Sequence, residues 1–65
     1  MVKKGDRVRC ICMKDPQAVP TGTCGSVYHI DDMGTIHVRW DNGSGLGLIP
    51  GVDEYEIIND DNGGR

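Results

Sequence analysis

The sequence has no phenylalanine, and Trp40, Tyr28 and Tyr55 are its only aromatic residues. A core therefore has to come from Val, Ile, Leu and Cys, and in a chain of 65 residues it will be thin. Long apolar runs are missing too. Nothing nears the ~18 residues that span a bilayer as a helix, and Met1-Val2-Lys3-Lys4-Gly5 lacks the apolar stretch of a secretory signal. The expected setting is the cytoplasm, with no membrane partner. Helical patterning is equally absent: ten Gly and three Pro interrupt the chain, and no apolar 3.6-residue period persists. So short a chain also excludes a second core, because it buries only about 60% of its unfolded surface. It leaves little mass for a catalytic cleft of about 300 Å³ with further groups behind it to hold the reacting ones. A non-catalytic binding module without a cofactor is the resulting expectation.

What the sequence does contain is alternation. Asp6 to Cys12 sets Val8, Cys10 and Cys12 on one face and Arg7, Arg9 and Ile11 on the other, the period of a half-buried strand. Residues 13–22 hold two prolines, which remove them from a central strand and leave a long loop. A second strand is expected from Thr23 to Ile30, where Val27 and Ile30 have opposite parity and need a bulge between them to share a core. Asp31-Asp32-Met33-Gly34 reads as a tight turn, and Thr35 to Asp41 alternates again with Ile36, Val38 and Trp40 inward. Asn42-Gly43 predicts a type I′ hairpin turn with Ser44 to Ile49 as its returning strand, Leu46 and Leu48 facing in. Gly45 and Gly47 leave the other face of that strand bare, for bending or for close approach by a partner's backbone. Pro50-Gly51-Val52-Asp53 reads as one turn or a short 3₁₀ segment, and Glu54 to Ile58 as the last strand with Tyr55 and Ile57 inward.

Five short strands of this kind predict an all-β chain, a small five-stranded SH3-like barrel over residues 5–58. An N-terminal arm, 1–4, precedes it, and a disordered polar tail, 59–65, follows. An OB-fold is the alternative, but Asp41 to Gly47 has no room for the helix such a fold often carries. The three cysteines, Cys10, Cys12 and Cys24, are an odd number and are expected as free thiols. A zinc site made of these with His29 or His37 is the rival, disfavoured because Cys10 and Cys12 lie within an extended apolar run.

The net charge of −3 is unevenly spread. Lys3, Lys4, Arg7, Arg9 and Lys14 crowd the first fifteen residues against Asp6 and Asp15, whereas residues 50–62 carry Asp53, Glu54, Glu56, Asp60 and Asp61 with no Lys or Arg.

Family likeness enters through several stretches. Lys4-Gly5-Asp6-Arg7-Val8-Arg9 with Gly22-Thr23-Cys24-Gly25-Ser26-Val27 resembles the opening of KOW-type barrels of ribosomal and transcription-elongation proteins. Residues 22–57 are similar to the SH3-like repeats of mind-bomb ubiquitin ligases, which share the hairpin Val38-Arg39-Trp40-Asp41-Asn42-Gly43. The closest likeness covers residues 5–58. Through Gly5-Asp6-Arg7-Val8, Asp15-Pro16-Gln17-Ala18, Ile36 to Ser44 and Leu48 to Ile58, the chain resembles the bacterial and phage family named domain of unknown function 4314. That likeness implies a short, often mobile-element-encoded barrel and assigns no activity to any residue.

Catalytic constellations are hard to assemble. Ser26 and Ser44 lack a nucleophile elbow, and adjacent carboxylates such as Asp31-Asp32 in a turn are usually solvated. Two binding surfaces are expected instead. The first is a protein- or peptide-binding surface on the 13–22 loop and barrel rim: Asp15, Pro16, Gln17 and Val19 with Tyr28 and the edge of Trp40. The second, for RNA or other nucleic acid in the KOW manner, is the outward set Arg7, Arg9, His37 and Arg39. An isoelectric point near 5.0 and few aromatics for stacking weigh against it. If first and last strands are neighbours, Arg7 and Arg9 should also be neutralised by Glu54 and Glu56.

Overall fold

The structure, a computed structural model, describes residues 2–59. The chain is all-β: among the described residues four strands, β1 (Arg7–Cys12), β2 (Cys24–Ile30), β3 (Ile36–Trp40) and β4 (Glu54–Ile57), form one antiparallel sheet in the order β3-β2-β1-β4. Among the described residues no helix is long and apolar enough to cross a membrane. The first and last strands are neighbours, with Val8 opposite Ile57 and Arg9 opposite Glu56. The bulge required by the parity of Val27 and Ile30 is present, as a register shift between Val27 and His29. A second shift, between Cys10 and Cys12, has no counterpart in the sequence reading; it rotates Cys12 away from the inner face and leaves it half-buried.

The core is the inner face of the sheet plus what folds over it. Val8, Cys10, Val27, Ile36, Val38, Trp40 and Leu48 are all buried, as alternation predicts. Tyr55 is half-buried against this cluster, while Ile57, on the inward parity of β4, is 41% exposed, and among the described residues no strand flanks β4 on its far side. Leu46 is also only half-buried. Gly25 lets β2 lie close on β3, since a Cβ there would stand 2.6 Å from Val38 Cγ1 and 2.9 Å from the Arg39 carbonyl.

The expected fifth strand, Ser44 to Ile49, is reduced to a single bridge. Trp40 N–H donates to the Ser44 carbonyl (3.1 Å), and Ile36 and Leu48 exchange both main-chain hydrogen bonds (2.9 and 2.8 Å). That register would set Leu46 opposite Val38. Instead the Leu46 carbonyl accepts the indole N–H of Trp40 at 2.7 Å, so the segment arches between its two anchored ends. A buried indole needs an acceptor, and here it takes the one that a ladder would have used.

The turn before this segment also differs from expectation. Among the described residues no non-glycine has positive φ, so Asn42 does not adopt type I′ geometry; of the two turn residues only Gly43 has positive φ, at 91°. Gly43 N–H bonds the Trp40 carbonyl and Trp40 N–H the Ser44 carbonyl, which makes a type I turn closed by a left-handed glycine. Asn42 Oδ1 accepts Ser44 N–H, a local bond that favours this form. The β2–β3 turn has the same build, with Gly34 bonded to Asp31 and Asp31 to Thr35.

Candidate functional site

Among the described residues two carboxylates are buried, and both hold the chain's own connections together. Asp6, 3% exposed, accepts hydrogen bonds from Lys3 N–H (2.9 Å), Lys3 Nζ (3.0 Å) and Asn59 Nδ2 (2.8 Å), and these hold its pKa down at about 2, the Asn59 bond having the largest effect. Asn59 Oδ1 in turn accepts Arg7 N–H (2.7 Å), so the N-terminal arm and the end of β4 meet at one side chain. Residues 60–65, the rest of the tail expected to be disordered, lie outside the described residues. Asp53 bonds Lys14 N–H and Ile49 N–H and fixes the turn that leads into β4.

The outward set is brought together. Arg7, Arg9, His37 and Arg39 share the outer face of the sheet, because Arg7 stands opposite Ser26 and Ser26 opposite Arg39. Most of this charge is met within the fold. Arg9 Nε pairs with Glu56 Oε2 at 2.7 Å, as expected. Arg7 does not pair with Glu54 or Glu56: its guanidinium reaches across β2 to make a two-pronged contact with Asp41 (3.0 and 2.7 Å) and a bond to Ser26 Oγ. The Arg7 bonds in turn hold Asp41 below the usual carboxylate range. His37 Nε2 lies 2.9 Å from Asp31 Oδ2, and that contact depresses the Asp31 pKa. Asp31 Oδ1 also accepts the Met33 and Thr35 N–H groups of the β2–β3 turn. Arg39 alone of the four has no carboxylate partner among the described residues; it stacks on Tyr28, 5.3 Å from the ring centroid.

The loop set does not form one surface. Asp15, Pro16 and Gln17 are exposed at the loop tip. Val19 is only 4% exposed and joins the core, and Trp40, at 2%, is wholly inside; both are corrections to the expected rim. The reason lies in the loop's own bonding. It is not free of ladder duties, since Gly22 N–H donates to the Cys10 carbonyl and Cys10 N–H to the Thr23 carbonyl, which folds the loop's second half back along β1 and drives Val19 under it. Tyr28 is exposed as expected, but it sits beyond the N-terminal end of β1, whereas the loop leaves from the C-terminal end. Gly47 faces its own chain, with Thr35 and Ile36 closest, while Gly45 has open space beside it.

A different concavity is present. Val2, Ile30, Gly34, Ile36, Pro50 and Tyr55 line an apolar groove of about 600 Å³ at the end of the sheet where the arm, the β2–β3 turn and the turn into β4 converge. Exposed Met33 lies in that same β2–β3 turn, exposed Ile49 and Val52 flank the turn into β4, and exposed Ile57 lies two residues beyond Tyr55 on β4. Sequence reasoning nominated none of these as a site. The signal that was available is the Pro50-Gly51 turn set between two exposed apolar residues, together with Val2 in an otherwise cationic arm.

All three cysteines are free, and burial pushes the Cys10 thiol pKa up, away from nucleophilic reactivity. Among the described residues no three of His, Cys, Asp and Glu converge where a metal ion could be held. His29 and His37 lie with ring centroids 5.4 Å apart.

A family described as "Domain of unknown function (DUF4314)" matches the chain over residues 2–58. No curated protein and no solved structure matches it.

Proposed function

We propose that this chain, which belongs to the DUF4314 family, is a non-catalytic recognition module that binds an extended segment of another protein in the groove between Val2, Ile30, Pro50 and Tyr55. The observation that carries the reading is the groove itself. It is apolar, of a size that receives side chains, and one of its walls is Tyr55 of β4. The charged outer face is a weaker candidate, because three of its four cationic or titratable groups already contact carboxylates of this chain.

The scaffold in this reading is an SH3-like barrel whose fourth strand is vestigial. Support comes from the adjacency of the first and last strands, from residues 44–48 returning beside β3, and from the single turn that precedes β4. A non-catalytic role is supported by the use made of the buried carboxylates: Asp6 and Asp53 tie backbone segments together and face no cavity chemistry. Three free thiols fit a reducing, cytoplasmic setting.

The competing reading, RNA binding in the manner of the KOW-type barrels, draws on Arg39 over Tyr28 as a stacking platform. Net charge opposes it.

Selection from a random-peptide display library against the full chain tests the proposal. Peptides should be enriched that bind the native protein and lose binding to an Ile30→Glu variant shown by circular dichroism to be folded. Failure to enrich any peptide, with single-stranded RNA binding in the micromolar range at about 0.15 M salt, would replace this reading with the nucleic-acid one.

A further inference from the structure

The groove ends at β4, and β4 is an edge strand. It pairs with β1 on one side and, among the described residues, with nothing in the sheet on the other. Which of its main-chain groups face outward follows from one bond. Ile58 N–H donates to the Arg7 carbonyl, so Ile58 points its main-chain groups at β1, and so does Glu56, opposite Arg9. Strand alternation then turns the N–H and C=O groups of Tyr55 and Ile57 to the open edge. Among the described residues neither makes a main-chain bond outside the ladder with β1.

Side chains along this edge divide by chemistry. Tyr55 and Ile57 lie on the inner face, and Tyr55 forms part of the groove wall. Glu54 and Glu56 are exposed at the alternate positions. Glu56 holds Arg9, whereas Glu54 has no cationic partner among the described residues. The whole stretch 50–62 carries five acidic residues and no Lys or Arg.

We infer that β4 accepts an added strand: an extended peptide segment in which apolar residues alternate with Lys or Arg. This rests on the recognition reading above and names its partner and mode. The segment's main chain pairs with Tyr55 and Ile57, its apolar side chains enter the groove past Tyr55 and Val2, and a cationic side chain lies against Glu54. The same two glutamates exclude a second copy of this chain as the occupant. Pairing β4 with β4 would set Glu54 and Glu56 against their own counterparts, where like charges directly opposite destabilise a sheet.

The probes are synthetic peptides of about six residues: one alternating Val and Lys, one alternating Val and Glu, and a Val–Lys peptide N-methylated at every second amide. Each is titrated into the ¹⁵N-labelled full chain at physiological salt, with hydrogen exchange measured on the bound state. The Val–Lys peptide is expected to shift and protect the amides of Tyr55 and Ile57. N-methylation on the pairing edge should weaken it about tenfold, and the Val–Glu peptide should fail to bind. Glu54→Lys, an exposed position without an ion pair to break, should weaken the Val–Lys peptide about five- to tenfold and restore binding of the Val–Glu peptide.

Two results overturn the inference in distinguishable ways. Shifts confined to Val2, Ile30 and Ile36, indifferent to N-methylation and to peptide charge, would keep groove recognition and dismiss strand addition. No shift with any peptide at millimolar concentration would dismiss strand addition and count against the recognition reading as well.

Discussion

The outer face of the sheet and its β4 edge answer the same physical demands in opposite ways. On the outer face, Arg7 meets Asp41, Arg9 meets Glu56 and His37 lies against Asp31, so only Arg39 is left without a carboxylate among the described residues, and β1 and β2 beneath are paired on both sides. At the edge, main-chain groups of two residues and the Glu54 side chain have no partner among the described residues, beside an apolar groove. A surface whose charges are already paired gives a partner little to gain, because each new contact must first displace an existing one. The open edge offers unspent hydrogen bonds and apolar area together. In this chain the place to look for function is therefore where the fold has left most groups unmatched, the β4 edge more than the outer face.

The contrast depends first on the tight seam beneath the paired face. Gly25→Ala would force a Cβ against Val38 Cγ1 and the Arg39 carbonyl. A loss of about 3 kcal/mol is expected by thermal or urea unfolding, at the upper end of overpacking costs because main chain as well as side chain must move. An unchanged midpoint would mean that β2 and β3 are not held as closely as this account needs.

Next in size is Trp40→Phe. It keeps the ring in the core but removes the N–H that takes the Leu46 carbonyl. A loss of about 1–2 kcal/mol is expected. Hydrogen exchange should show the amide of Val38 gaining protection if the freed carbonyl then completes the ladder with residues 44–48.

Acid sharpens the comparison from another side. Asp6 has a folded-state pKa of about 2 against an ordinary value of 3.8, and Asp31 and Asp41 are lowered as well. Groups lowered on folding contribute stability that is fully present above their unfolded pKa and is lost as pH falls toward the folded one. Unfolding midpoints should therefore hold steady above about pH 5 and decline between 3.8 and about 2. Asp6→Asn should flatten this decline, an effect read from urea midpoints at stepped pH.

The smallest effect is expected on the outer face. A double-mutant cycle on Arg9 and Glu56 should return a coupling of about 0.2–1 kcal/mol, since both side chains are nearly half exposed and screened by solvent. A coupling well above that would make the face more rigid than described and weaken the contrast drawn from it.

Alternation in the sequence made β1 and β3 legible, together with most of the core, and the parity conflict between Val27 and Ile30 marked the bulge. Three features were not legible, and each depends on contacts that alternation does not encode. The arching of residues 44–48 follows from where the Trp40 indole finds its acceptor, which no local pattern encodes. Val19, one apolar residue between two prolines, reads as loop until the Gly22 and Thr23 bonds to Cys10 fold it under the sheet. The Arg7–Asp41 pair requires the strand order β3-β2-β1, because the guanidinium must cross β2 to reach its partner. The groove was not legible for a related reason: its walls come from the arm, β2, the β2–β3 turn, β3, the turn into β4 and β4, segments that only the completed fold assembles.

The central claim is that this protein recognises extended polypeptide at its open edge and not nucleic acid on its charged face. Amide shift mapping on the full chain at about 0.15 M salt, with the Val–Lys peptide and single-stranded RNA titrated separately, tests it most directly. The account predicts that the peptide moves Val2, Ile30, Tyr55 and Ile57 and that RNA produces only weak, salt-sensitive changes. Micromolar RNA binding that moves Tyr28, His37 and Arg39 and leaves Tyr55 and Ile57 in place would contradict it.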